Sequence, residues 1–191
     1  MKVLLASTSR YRRELLSRLR LPFECIAPDV DETPIPDELP EQRALRLAQA
    51  KAAVVAATHP HSIVIGSDQV AALDGLLLRK PHTQQRAQAQ LRQASAQHVD
   101  FYTALCIRAG SARADWIWVD HTRVRFRCLA DAEINRYLEA EQPYDCAGSF
   151  KCEGLGISLF EAIESTDPTA LIGLPLIAVS RGLRELGLSC P

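Results

Sequence analysis

Strands and helices following one another in a single soluble chain is the class that these 191 residues predict. Three observations lead there. Hydrophobic content of 47%, charged content of 24% and a net charge of −1 are those of an ordinary globular protein. Short aliphatic runs such as Val3–Ala6 and Ile63–Ile65 read as strands buried on both faces. Between them lie longer stretches with apolar residues at helical spacing.

In chain order, Val3–Ala6 is a strand followed by Ser7-Thr8-Ser9, any of which can cap a helix over Arg10–Leu19. Tyr11, Leu15, Leu16 and Leu19 would face its core side. Arg10, Arg12 and Arg13 crowd its first turn, where cations oppose the helix dipole, so an anion there would relieve a conflict. A P-loop and a dinucleotide fingerprint are both absent. Pro22–Ala27 is a second strand, and 28–38 is a loop with five acids, among them Asp31 and Glu32. Such a loop is either solvated or a hard-metal ligand. Pro40–Thr58, which carries Lys51, is an alanine-rich helix.

The stretch 63–81 organises the rest. Gly66, two residues before Asp68, marks a bulge in the strand or a place where a ligand comes close to the backbone. Asp74-Gly75 turns the chain back as a hairpin, which would return Lys80 towards Asp68. Thr83–Ser95 is a third helix. His98–Arg108 and Asp115–Cys128 form a long hairpin about Ala109-Gly-Ser-Ala. Asp131–Glu141 is a helix capped by Asp131. Three glycines in Ala147–Gly156 suggest a loop whose backbone approaches a small molecule, and Glu153 lies within it. Ile172–Ile177 leads into a last helix ending near Gly187. There is no clean domain boundary, so 1–191 reads as one domain.

Several classes fall away. The six cysteines have neither zinc nor redox spacing and read as reduced thiols of a cytoplasmic protein. The five histidines lack metal spacing, and no G-x-S-x-G supports a serine hydrolase. The near-zero net charge gives no reason to expect nucleic acid or membrane as partner.

Eight motifs occur in order: Leu5-Ala-Ser-Thr-Ser-Arg-Tyr-Arg-Arg13, Asp31-Glu-Thr33, Ala48-x-x-Lys51, Gly66-Ser-Asp-Gln69, Lys80-Pro81, Ala147-Gly-Ser-Phe150, Glu153-Gly154 and Gly173-Leu-Pro-Leu176. The set resembles the Maf family of nucleoside triphosphate pyrophosphatases, from the first strand to the last helix. That resemblance implies an α/β fold, with a long curved mixed sheet flanked by helices in two lobes about a central cleft, as in the inosine triphosphate pyrophosphatase superfamily. It implies hydrolysis of a nucleoside triphosphate to monophosphate and pyrophosphate with a divalent metal, Mg²⁺ or Mn²⁺, in a homodimer. Asp68 falls on the catalytic acid, and Glu32 and Asp68 on the metal position. Ser7, Arg12, Arg13, Lys51 and Lys80 fall on phosphate-handling positions, and Tyr11, Gln69 and Glu153 on the positions that select the base. Gln69, Phe150 and Glu153 resemble the branch that hydrolyses 7-methyl-GTP. Alternatives are the dTTP/UTP branch and a nucleotide-binding regulator of septum formation.

Overall fold

The computed structural model describes residues 1–110 and 114–189. Part of the expected turn after Ala109, and Cys190, lie outside the described residues. The elements are β1 (Lys2–Ala6), α1 (Arg10–Ser17), β2 (Phe23–Ile26), α2 (Pro40–Thr58), β3 (Ser62–Leu73), β4 (Leu76–Leu78), α3 (Gln84–Ala94), β5 (His98–Ala109), β6 (Trp116–Phe126), α4 (Asp131–Glu141), β7 (Phe160–Glu164) and α5 (Leu176–Glu185). The seven strands form one mixed sheet in the order β2-β1-β3-β5-β6-β7, with β4 paired to β3. β1 runs parallel to β2 and β3, whereas β4 and β7 run antiparallel to their neighbours. The α/β class is therefore as expected.

By its packing the chain divides into two compact units. The first comprises 1–69, 103–120 and 167–191; the second comprises 70–102 and 121–166. In the first unit, Leu5, Ile63, Ile65, Leu105 and Ile107 on the sheet pack against Leu15 and Leu16 of α1 and Val179 and Leu183 of α5. Successive residues of a strand point to opposite faces, so Ile63 and Ile65 commit the odd-numbered side of β3 to this core. The even-numbered side faces α2. A side chain at Gly66 would put its Cβ 2.3 Å from the Ala48 carbonyl oxygen and 2.7 Å from the Ala52 nitrogen. Gly66 thus admits a helix to the strand surface: what comes close to its backbone is α2.

In the second unit, Phe101, Phe126, Phe150 and Phe160 meet edge to face with centroids 4.8–5.7 Å apart, the preferred arrangement for aromatic quadrupoles. β7, which brings Phe160 to this cluster, has no expectation to match from the sequence, since its residues FEAIE alternate only weakly. The Asp74-Gly75 hairpin forms as expected, pairing Ala71–Leu73 with Leu76–Leu78. Helix α4 is not capped by Asp131. Glu133 reaches back to accept from the Ala130 amide (2.9 Å), while Asp131 pairs with Arg92. No helix among the described residues is long and apolar enough to cross a membrane.

Candidate functional site

The strand alternation that builds the first unit also sorts its polar residues. Beyond Gly66 the side chains on β3 are Ser67, Asp68 and Gln69. Asp68 continues the α2 side, and its Oδ1 accepts from the Lys51 ammonium at 2.7 Å. Both side chains are about one tenth exposed. Lys51 sits three residues after Ala48 and one before Ala52, the pair against which Gly66 packs. The tight helix–strand contact is therefore what carries the ammonium to the carboxylate.

Glu32 comes to the same ammonium, Oε1 to Nζ 2.7 Å. Its loop is held to α2 by two arginines that the sequence reading passed over. Arg43 Nη2 donates to the Glu32 carbonyl at 2.5 Å, and Arg46 Nη2 to that of Thr33 at 3.3 Å. Arg46 also grips both oxygens of Glu38, holding that carboxyl below its ordinary pKa. Two arginines one helical turn apart, just after an acidic loop, were the available signal. Asp31 turns inward on its own loop and accepts from the Thr33 amide at 2.8 Å.

Ser67 and Gln69 point the other way, to the segment before α5. Ser67 Oγ donates to the Gly173 carbonyl (3.2 Å), which also accepts from Arg12 Nε at 2.8 Å. One carbonyl has two lone pairs and here uses both. Arg12 is thereby fixed by its backbone partner. Desolvation pushes its pKa down, and the negative charges of Asp68 and Glu32 oppose that shift. Gln69 Nε2 faces the carbonyls of Ala170 (2.9 Å) and Leu171 (3.0 Å) and the Thr103 hydroxyl (3.0 Å).

At the start of α1, Ser9 is the cap, its hydroxyl accepting from the Arg12 amide. Ser7 is buried, and its oxygen accepts from the Ser9 amide at 3.1 Å. Arg13 is exposed. Tyr11 is neither in the core nor open on every side. It is half-buried, and Arg10 lies over its ring at 4.7 Å while donating to its hydroxyl. The first unit thus assembles Ser7, Arg12, Glu32, Lys51, Asp68 and Gln69.

Lys80 and Glu153 belong to the second unit. Lys80 is exposed and lines a concavity with Arg79, His82, Arg86, Gln90 and Gln93, none of them acidic. The strap is fixed from behind. Gln90 donates to the Arg79 carbonyl (2.8 Å) and accepts from Ser149, and the His82 amide donates to Tyr144. Glu153 is exposed, with the Cys152 thiol donating to its Oε2 at 3.6 Å. Two of the glycines around it are required by the loop's own packing. A Cβ at Gly154 would lie 2.7 Å from Glu141 Oε2, and one at Gly156 would lie 2.4 Å from the Lys151 carbonyl oxygen.

The donor chemistry suits a hard cation. Glu32 and Asp68 offer carboxylate oxygens at one point, and Mg²⁺ is commonly held by one or two carboxylates with the remaining positions on water and phosphate. No group of three or more His, Cys, Asp or Glu converges among the described residues, so a transition-metal cage is not what this set resembles.

The family described as Maf-like protein matches residues 2–186. A relative from Bordetella pertussis, named 7-methyl-GTP pyrophosphatase, is 58% identical over 189 residues, covering 98% of this chain and 93% of its own. One of the same name from Burkholderia pseudomallei is 57% identical over 192 residues, covering 97% and 88%. Among solved structures, the Ham1 protein of Staphylococcus aureus is similar at TM-score 0.48 and 14% identity, over 69% of this chain and 73% of its own. With a family match across nearly its whole length and relatives above half identity, this chain belongs to the Maf family.

Proposed function

We propose that the protein hydrolyses 7-methyl-GTP to 7-methyl-GMP and pyrophosphate, as the names of its relatives indicate for them. One observation carries the chemistry: a buried ammonium, Lys51, bridging Asp68 and Glu32 at 2.7 Å each. Phosphoryl-group hydrolysis needs a positioned water and charge stabilisation more than covalent help. In this reading water attacks the α-phosphorus, and the bond from that phosphorus to the oxygen bridging to the β-phosphate breaks. Pyrophosphate then leaves. Asp68, with Oδ1 tied to Lys51, takes the proton of the attacking water on Oδ2. Lys51, Arg12 and Arg13 meet phosphate oxygens, with Ser7 donating its hydroxyl and Lys80 the charge of the second unit. A divalent cation, Mg²⁺ or Mn²⁺, would be held by Glu32 and Asp68 and would supply neutralisation of phosphate charge and a lower pKa for the attacking water. Tyr11, Gln69 and Glu153 would read the base. A carboxylate accepts from both the N1–H and the 2-amino group of guanine, a pair that uracil and thymine do not offer. We further propose a homodimer working in the cytoplasm on free nucleotides.

The test is pyrophosphate release by wild type and Asp68→Asn, with 7-methyl-GTP, GTP, UTP and dTTP in Mg²⁺ or Mn²⁺. Wild type should favour 7-methyl-GTP, and Asp68→Asn should lose about 10²–10⁴-fold in kcat with the fold intact. Preference for UTP and dTTP would keep the mechanism and overturn the base assignment. Binding of nucleotide without release of pyrophosphate would leave a regulator.

A further inference from the structure

Gln69 has a side-chain amide whose two ends differ chemically, and its surroundings decide which end faces where. Nε2 lies 2.9 Å and 3.0 Å from the backbone carbonyls of Ala170 and Leu171. Carbonyl oxygens only accept, so the NH₂ group must face them; the flipped amide would set oxygen against two oxygens. Thr103 closes the arrangement from β5. Its hydroxyl, fully buried, donates to the Ala170 carbonyl at 2.9 Å and accepts from Gln69 Nε2 at 3.0 Å.

The carbonyl turn is itself anchored. Asp167, buried, accepts from the amide and hydroxyl of Thr169 through Oδ1 and from the Ile177 amide at the start of α5 through Oδ2. Thr169 in turn accepts from the Leu176 amide. Both ends of the segment that holds Gln69 are thus tied to one carboxylate.

From this we infer that Thr103 and the Ala170–Leu171 turn are specificity-positioning elements that lock Gln69 with only its acceptor, Oε1, turned outward. The inference rests on Gln69 being a base-reading position, and it assigns that position a sign. With Glu153 taking the N1–H and one 2-amino hydrogen of a guanine, an outward acceptor suits the second 2-amino hydrogen. Uracil and thymine present one N–H between two carbonyl oxygens, and a locked Oε1 opposes both oxygens without being able to donate to either. An amide free to turn would offer its NH₂ to them and lose that discrimination.

Two measurements on the full-length protein test it separately. In ¹⁵N-glutamine-labelled protein, the Gln69 amide protons, assigned by their loss in Gln69→Glu, should exchange slowly in wild type and Thr103→Ser and faster in Thr103→Val. Exchange as fast as that of the exposed glutamines would overturn the lock whatever the enzyme hydrolyses. In turnover, the ratio of kcat/KM for 7-methyl-GTP over UTP should fall roughly two- to tenfold in Thr103→Val, the size of one hydrogen bond, and recover in Thr103→Ser. A packing role alone would lower the melting temperature and leave that ratio untouched; an unchanged ratio would remove Thr103 from specificity. Absence of all turnover in wild type would count against the proposed function and not the lock, which the exchange data judge alone.

Discussion

The two units carry their cations in opposite ways. In the first, Lys51 is buried between two carboxylates and Arg12 is tied to the Gly173 carbonyl. In the second, Arg79, Lys80 and Arg86 stand exposed around a concavity that no acid lines. A buried, paired cation is oriented before any ligand arrives and works in a low dielectric, where its field is strong. An exposed one is screened by salt and held only by the strap beneath it. The first arrangement suits the atoms that react, and the second suits capture of charge. Removing a cation should therefore cost stability in the first unit and only ligand affinity in the second.

Lys51→Met should show the largest effect. It leaves Asp68 as a buried carboxylate without its counter-ion, a change that costs about 3 kcal/mol or more. Urea unfolding should register the loss, and adding Asp68→Asn to Lys51→Met should restore part of it, because the residues couple directly. Equal stability of Lys51→Met and wild type would mean that water reaches the pair freely and that no preorganised centre exists.

The converse substitution in the second unit comes next. Arg86→Ala, or Lys80→Ala, should change stability by less than about 0.5 kcal/mol, as exposed positions do, while KM for the triphosphate rises and does so more steeply at low salt. A salt-independent KM would place these side chains outside the path of the phosphates.

Much of the fold was legible in the sequence, and the limits of that reading are instructive. The strands, α2 and the hairpin at Asp74-Gly75 followed from hydrophobic period and turn chemistry, which are local. So did the position of Asp68 beyond a buried run. Gly66 showed that something approaches β3 closely, but a glycine does not say whether a helix or a ligand does so. The arginine pair Arg43 and Arg46 was visible as spacing on a helix beside the acid Glu38, yet its partners at Glu32 and Thr33 are backbone carbonyls, which leave no trace in side-chain identity. The same is true of the carbonyls of Ala170, Leu171 and Gly173. Any residue supplies a carbonyl, so a site built from main-chain acceptors is nearly silent in sequence. β7 was missed because its pattern is weak and its pairing is with β6, distant in the chain.

A further effect, on turnover and metal requirement, is expected at the clamp on the Glu32 loop. Arg43→Ala removes one charge-assisted bond to the Glu32 carbonyl, worth about 1–2 kcal/mol where it is well formed. The loop remains tethered by Arg46. Turnover should fall several-fold, with the activating metal concentration shifted upward if Glu32 takes the role proposed for it. A metal requirement identical to that of wild type would separate Glu32 from the cation.

The smallest effect distinguishes two thiols, one in each unit. Cys106 and Cys152 are both pushed up to about 12, and burial is the main cause in each. For Cys106 the next cause is the charge of Asp115. For Cys152 it is the charge of Glu153, followed by the hydrogen bond to that carboxylate. Both groups stay protonated in the folded state through a range where the unfolded thiol ionises. Their contribution to stability is therefore full below the unfolded pKa, about 8.5, and is lost as pH rises from there towards 12. Glu153→Gln removes the charge beside Cys152 and leaves the burial. The pKa should fall part of the way, and alkylation of Cys152 at pH 8.5 should quicken by less than about tenfold, since each unit recovered raises the thiolate fraction tenfold while lowering its nucleophilicity. Cys106, fully buried on β5, should not respond at all. Faster labelling at both thiols would mean that Glu153→Gln loosens the whole protein, and its effect on base preference could then no longer be credited to a lost carboxylate. Faster labelling at Cys152 alone keeps the change local to the loop, so that any loss of 7-methyl-GTP preference in the same variant reports on the base contact itself.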